Sequence, residues 1–465
     1  MILETTFKIN NMSNHYSRRG FIQTSGMAGL GLALSPKFAF AGSVLKDKVK
    51  LGFIGVGLRG CNHLHNILSR NDVVVPAICD IDAERLQIAT DMITKSGRPK
   101  PEQYTGNDLA FELMLKRDDL DGVIIATPWL WHTRMAVAAM KAGKYAGVEV
   151  SAANTLEECW DLVNTHEATG VPVMILENVC YRRDVMAVMN MVRQGIFGEP
   201  VYFHCGYEHD LRTVKFEPGV EFGEKGVHEA RWRTQHSVMQ NADLYPTHGV
   251  GPVATMLNIN RGNRFRSLTS TATKTRGLHN YIVQKAGTQH PNAGIDFKLG
   301  DIVTTVINTY NGENIVVMHD TNLPRPYSLS FRVQGTKGLW MGQGDGDFSD
   351  PGQQVYVEGV SKYDTYDKAE EWLKKYDHPL WKKYGQEAEG SGHGGMDFFV
   401  DHAFVEIVKR GEQAPLDAYD CAAWSSITPL SERSIAQGGE PQEFPDFTRG
   451  MWINRKPIFA LNDDY

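Results

Sequence analysis

Residues 49–60 read Val-Lys-Leu-Gly-Phe-Ile-Gly-Val-Gly-Leu-Arg-Gly, an apolar run that ends in Gly55, Gly57 and Gly60 and opens a helical pattern over residues 61–68. Alone, the GxGxxG spacing is weak evidence. Here a second β-rich run follows at 73–78 and leads to Asp80, twenty residues after Gly60, which is the layout of a dinucleotide-binding unit. The three glycines then serve different ends. Gly55 permits the tight turn, Gly57 lets backbone approach a pyrophosphate, and Gly60 lets helix and strand pack closely. Asp80 is placed to accept hydrogen bonds from an adenosine ribose. Its charge would repel a 2′-phosphate, so NAD is expected rather than NADP.

The alternation continues with an apolar strand at 121–127, a helix at 132–142 closed by Gly143, a strand at 145–150, a helix at 156–169 and a strand at 171–176. This predicts an α/β domain, a doubly wound parallel Rossmann sheet, over residues 46–176. Ligands in such sheets sit beyond the carboxyl ends of the strands, so Thr127 to His132, Glu149-Val150 and Glu177-Asn178 should line one crevice. From residue 177 the texture changes to β-rich runs at 200–207, 266–276, 301–310, 315–320 and 327–334, several joined by Gly-containing turns. A second α+β domain over 177–465, with a large, mostly antiparallel open sheet, is expected. Its broad face suits a homo-oligomer interface. Residues 397–410 and 418–437 read as helices, and 342–384 resist assignment.

Residues 1–41 read as an address. Ser17-Arg18-Arg19-Gly20-Phe21-Ile22 precedes a small-residue apolar stretch at 27–34, and Ala39-Phe40-Ala41 offers small residues for cleavage. A stretch this short and Gly-rich does not span a bilayer. The expectation is a twin-arginine signal peptide, the export machinery that reads it, and a periplasmic or otherwise exported location. That route carries folded chains, so a cofactor captured in the cytoplasm would leave with the protein. A formal charge of −7, from 48 Lys and Arg against 55 Asp and Glu, gives no reason to expect nucleic acid or an acidic membrane. The six cysteines are scattered without a CxxC pair, no HExxH occurs, and His63 and His65 do not share a helix face. No metal is expected.

The strand-turn-helix, the Ala126-Thr127-Pro128 strand end followed by His132, and Ala142-Gly143-Lys144 before a strand ending in Glu149 resemble the glucose-fructose oxidoreductase and inositol dehydrogenase superfamily. That superfamily usually shows Glu-Lys-Pro after this strand, with a catalytic lysine, whereas this chain has Glu149-Val150-Ser151. The departure points to one branch. Glu149-Val150-Ser151, residues 177–184, residues 245–252, Arg325-Pro326-Tyr327 and residues 393–397 are similar to the NAD-dependent α-N-acetylgalactosaminidases, glycoside hydrolase family 109. The resemblance implies tightly bound NAD, contacted at Leu58, Arg59, Asp80, Trp129, Leu130, Trp131, His132, Glu149, Val150 and Asn178. It implies substrate contacts at Tyr207, Arg233, Tyr245, Pro246, Thr247, His248 and Tyr327.

For such a family the resemblance implies a redox-neutral hydrolysis of terminal α-linked N-acetylgalactosamine: oxidation at C3, removal of the C2 proton, elimination at C1, then water addition and reduction in place. On that reading His248 and Tyr327 transfer protons at the sugar, Tyr181 positions or transfers protons near C2 and C3, and Glu149 orients the nicotinamide and the C3 hydroxyl. Two other readings stay open. One is an exported sugar oxidoreductase with a tightly bound nicotinamide cofactor; the other is a periplasmic sugar-binding or NAD-sensing module. Each named side chain also has a plainer use: His248 at a helix start, Tyr181 and Tyr327 as core aromatics, Glu149 as a turn cap.

Overall fold

A computed structural model describes residues 45–465. The expected export signal lies outside the described residues. Val49–Ile54 (β1) buries every residue except Lys50, as a strand covered on both faces must. There follow Leu58–Leu68 (α1), Val73–Cys79 (β2), Ala83–Lys95 (α2), Glu102–Tyr104 (β3), Ala110–Met114 (α3), Gly122–Ile125 (β4), Trp129–Lys141 (α4), Tyr145–Val148 (β5), Leu156–Thr169 (α5) and Val173–Ile175 (β6). The strands pair in parallel in the order β3-β2-β1-β4-β5-β6. Sequence order reverses between β1 and β4, which opens the ligand crevice at their carboxyl ends. Local chemistry sets the helix starts. The Asp82 side chain caps α2, and Thr155 with Glu158 forms a capping box on α5. The N-cap position of α1 is Gly57, which has no side chain with which to cap, so the leading amides of the helix stay available to a ligand.

Arg183–Arg193 (α6) leads into Pro200–Glu208 (β7), Thr247–Met256 (α7), Phe265–Ala272 (β8), Ile302–Thr309 (β9), Asn314–Asp320 (β10), Phe331–Gly335 (β11), Gly338–Gly342 (β12), Gln354–Val357 (β13) and Asp367–Lys368 (β14). With Gln442–Glu443 (β15) these make a nine-stranded sheet of order β14-β13-β12-β11-β7-β10-β9-β8-β15. It is antiparallel except where β10 runs parallel to β7. Along β9 the pattern alternates strictly, with Val303, Thr305 and Ile307 buried and Thr304 and Val306 partly exposed, so one face covers the core and the other is open.

The chain then returns to the first sheet. Met396–Arg410 (α8) lies so close to β5 that a side chain on Gly147 would meet the Phe404 ring at 3.2 Å, and the Ile175 amide donates to the Leu416 carbonyl at 3.1 Å. Two sequence expectations need correcting. Residues 418–437 form two helices, Ala418–Ser425 (α9) and Ile427–Ala436 (α10), because Pro429 has no amide to continue the helical ladder across the junction. Tyr327 lies ahead of β11, in an irregular run after Pro324 and Pro326 that meets β7 through the isolated Ser328–Glu208 bridge. The unassigned stretch 342–384 contains β13, β14 and the short helix Ala369–Lys375, elements too brief to leave a periodic signature.

Candidate active site

Arg59, His63 and Asn66 share one face of α1, and Asp397 and Asp401 share one face of α8. The two faces meet around Glu149, at the end of β5. Arg59 Nε donates to Glu149 Oε1 at 2.5 Å and its Nη1 to Asp397 at 2.8 Å. His63 is completely buried, with Nε2 2.8 Å from Glu149 and Nδ1 2.6 Å from Asp401, whose other oxygen accepts from Asn66 at 2.9 Å. Burial pushes His63 down, but Asp401 and Glu149 outweigh it and bring it up to about 9. Burial likewise raises Glu149, yet Arg59 and His63 hold its carboxyl well below the usual range. Its second oxygen accepts from the Val150 amide at 2.9 Å. Glu149 is therefore a fixed anion at neutral pH, suited to orienting neighbours and unsuited to giving or taking a proton. Asn178 joins from the end of β6, donating to Asp397 at 2.7 Å.

Above this network the glycine-rich turn fits a dinucleotide. Gly55 has φ +87°, and a Cβ there would stand 2.6 Å from the Ala126 carbonyl oxygen. A Cβ on Gly60 would overlap the Gly55 carbonyl oxygen, whereas around Gly57 nothing lies within 4 Å. That open space over an uncapped helix start is the shape a pyrophosphate requires. Asp80 accepts from the Val56 amide at 2.8 Å and the Asp82 amide at 2.9 Å, tying the ends of β1 and β2 together under the ribose position. Leu58, Ile81 and Leu130 stay 52–69% exposed at the crevice rim, an apolar lining that the flat rings of a dinucleotide would cover. Val150 and Trp129 are buried, and Trp131 is half-buried with Arg134 over its ring. His132 is wedged between the Thr127 and Ser151 carbonyls at 2.7 and 2.8 Å, so its ring holds strand ends together.

On the sheet side, Tyr207 at the end of β7, Tyr245 and His248 at the start of α7, and Tyr327 form an aromatic box. Ring centroids lie 4.6 Å apart for Tyr207 and Tyr245, 4.8 Å for Tyr245 and His248, 5.4 Å for Tyr207 and His248, and 6.5 Å for Tyr207 and Tyr327. Arg233, ion-paired with Glu229, lies over the rings of Trp129 and Tyr245 at 5.1 and 5.0 Å. Burial raises the Tyr327 hydroxyl above its ordinary value despite nearby Arg182, so Tyr327 stays protonated. His248 Nδ1 lies 2.7 Å from Glu177, a wholly buried carboxylate that also accepts from the Val179 amide at 3.1 Å. Pro246 and Thr247 are buried where α7 begins.

Tyr181 is a correction. The turn Asn178–Tyr181 sends its ring inward, completely buried against Phe459 at 5.0 Å and stacked on Phe399, with its hydroxyl unpartnered. It serves the core, and a proton-transfer role is withdrawn. Conversely, His63, Asp397, Asp401 and the pairing of Glu177 with His248 escaped sequence reasoning. Glu177 had a signal, since it ends a strand of the nucleotide sheet; Asp397 and Asp401 had only their four-residue spacing. Among the described residues no group of three or more His, Cys, Asp or Glu is arranged to hold a metal.

Fold and site together define a nicotinamide-dinucleotide Rossmann protein whose second domain presents an aromatic, histidine-containing crevice to the cofactor. Residues 49–177 match the family described as oxidoreductase family, NAD-binding Rossmann fold, and residues 181–454 match glycosyl hydrolase 109, C-terminal domain. The chain is 51% identical to an α-N-acetylgalactosaminidase of Tannerella forsythia, over 96% of this chain and 99% of that one. It is 50% identical to a glycosyl hydrolase family 109 protein of Parabacteroides distasonis with the same coverage. It belongs to glycosyl hydrolase family 109. Solved structures share the fold: levoglucosan dehydrogenase in complex with NADH and levoglucosan superposes with a TM-score of 0.66 at 20% identity, covering 86% of this chain and 100% of that one. An oxidoreductase from Agrobacterium radiobacter in complex with NAD+, L-tartaric acid and magnesium gives 0.60 at 17%, covering 85% and 98%.

Proposed function

We propose that this protein hydrolyses terminal α-linked N-acetylgalactosamine through a redox-neutral oxidation and elimination that retains its NAD. The observation that carries this reading is the state of the two crevice acids. A conventional glycosidase needs one protonated carboxyl and one free carboxylate about the scissile bond, whereas Glu149 is held ionised by Arg59 and His63 and Glu177 is committed to His248. The remaining proton-transfer groups are histidines and tyrosines, which suit work at hydroxyl and C–H protons. NAD, which the Gly55 to Gly60 turn, Asp80, Arg59, Glu149 and Asn178 would hold, would supply a reversible hydride acceptor for C3, the C3 hydroxyl proton passing to solvent. His248 then takes the proton made acidic by the C3 ketone, Tyr327 gives its proton to the departing oxygen, and Tyr207, Tyr245 and Arg233 hold the sugar. The identity with the Tannerella relative supports the substrate assignment.

The Ser17-Arg18-Arg19 pattern supports twin-arginine export, and export favours a cofactor that never leaves. The open sheet face, where Val306, Val316, Met318 and Met341 are only partly covered, supports assembly of copies through that sheet. Hydrolysis of an α-N-acetylgalactosaminide in deuterated water tests the reading. Deuterium should enter C2 of the released sugar, with the C1 configuration retained. Cleavage with a fully protiated C2 overturns the elimination route, and interconversion of free sugars without cleavage selects the oxidoreductase reading instead.

A further inference from the structure

Glu177 performs no step in that scheme, yet the fold takes unusual care to place it. It follows β6 with no exposed surface, and its Oε1 accepts from the Val179 amide and lies 2.7 Å from His248 Nδ1. Its Oε2 is buried without a partner. Helix α7 comes so near that a Cβ on Gly251 would stand 2.9 Å from Glu177 Cγ and 3.1 Å from Cys180 Sγ. A glycine one turn beyond His248 is thus what lets the histidine reach the acid. An ionised carboxylate only accepts, so the proton between them belongs to Nδ1, and the lone pair belongs to Nε2 on the far side of the ring.

We infer that Glu177 is the positioning residue of this site: it selects the His248 tautomer whose Nε2 is basic, and it stabilises the imidazolium formed when Nε2 takes a proton from the sugar. The inference rests on the proposed reaction. In the step itself the sugar C2–H bond breaks, its electron pair stays on the sugar to expel the C1 oxygen, and the proton bonds to Nε2. Glu177 stays ionised throughout, and the dyad ends net neutral where it began net negative. The other groups facing His248 are Tyr207 and His209 from the end of β7, with Tyr327 behind them, and Tyr245 before α7 with Arg233 over its ring. Apart from Glu177 none of them is an anion at neutral pH.

The test compares the wild-type holoprotein with Glu177→Gln and Glu177→Asp by NMR of ¹⁵N-histidine-labelled protein, the His248 signals being those lost in His248→Asn. The wild type should show the Nδ1–H tautomer near neutral pH. Glu177→Gln should move the acidic limb of kcat/KM for an α-N-acetylgalactosaminide to lower pH. Its kcat should fall by roughly a hundredfold or more while KM changes little, and Glu177→Asp should recover part of the loss. An Nε2–H tautomer in the wild type overturns the inference even if no variant folds. So does a folded Glu177→Gln protein whose tautomer and pH limb stay put. If the wild type cleaves no such glycoside, the proposed function fails while the tautomer measurement still decides the role of Glu177.

Discussion

Gly57→Ala and Gly60→Ala are chemically the same change three residues apart, and the structure gives them opposite consequences. At Gly57 the added methyl meets nothing within 4 Å and the backbone has a negative φ of −67°, which alanine adopts. Folded stability without nucleotide should therefore change by less than about 1 kcal/mol in either direction. At Gly60 the methyl overlaps the Gly55 carbonyl oxygen, so α1 must retreat from β1 by about 1 Å at a cost of roughly 1–3 kcal/mol. Affinity should follow a different order. A methyl on Gly57 occupies the space over the α1 amides, and pushing a pyrophosphate off two of them forfeits about 3–6 kcal/mol, or a loss on the order of 10²–10⁴-fold. Urea unfolding of the nucleotide-free proteins measures the first quantity, and NADH titration with analysis of nucleotide released on denaturation measures the second. A Gly57→Ala protein that keeps NAD at wild-type affinity would refute the placement of the pyrophosphate. One that unfolds as readily as Gly60→Ala would refute the open space itself.

Four further outcomes follow from individual side chains. His63 is raised from 6.5 to about 9, so its contribution is complete below pH 6.5 and is lost as pH climbs through 9. Urea midpoints should show a fall on the order of 3 kcal/mol across that window in the wild type and none in His63→Leu. Asp243, buried with one oxygen unpartnered, is pushed up to about 7 from 3.8 by burial, against the Tyr245 amide that favours its anion, so stability is lost as pH rises from 3.8 through 7. Asp243→Asn should be more stable than the wild type at pH 8, by up to about 4 kcal/mol, and no more stable at pH 4. Tyr327→Phe should lower turnover by roughly a hundredfold while NAD stays bound; unchanged turnover would remove it from the proton path. Asp80→Ala should loosen NAD and admit NADP, read by competitive titration, since both the ribose acceptor and its charge are lost.

The first domain was legible because its constraints are local. Gly55 and Gly60 announce a turn and a close helix–strand approach that a side chain would obstruct, and β1, apolar but for Lys50, announces a strand with two covered faces. Tyr207, Tyr245 and His248 were named through the family resemblance, while their gathering where β7 ends and α7 begins is read from the structure. Tyr181 was misread because a sequence motif fixes which residues neighbour one another along the chain, and a tight turn decides which way each one faces. The ladder of His63 with Asp401 left no trace for a related reason. Its partners are 338 residues apart, and no periodicity within either helix says that a buried polar face on one will meet a buried polar face on the other. The parallel pairing of β7 with β10 was hidden likewise, since runs of β-rich residues specify strands and not their neighbours.

Arg59 and Asp397 are also 338 residues apart, and at about 5–20 residues per second a ribosome takes roughly 20–70 s to make the second after the first. Through that interval the glycine-rich turn exists without the helix that braces it: Arg59 lacks Asp397, His63 lacks Asp401, and the back of β5 lacks Phe404. A nascent chain can form the first sheet but not a finished nucleotide pocket. A product that stops before α8 therefore lacks all three of these braces.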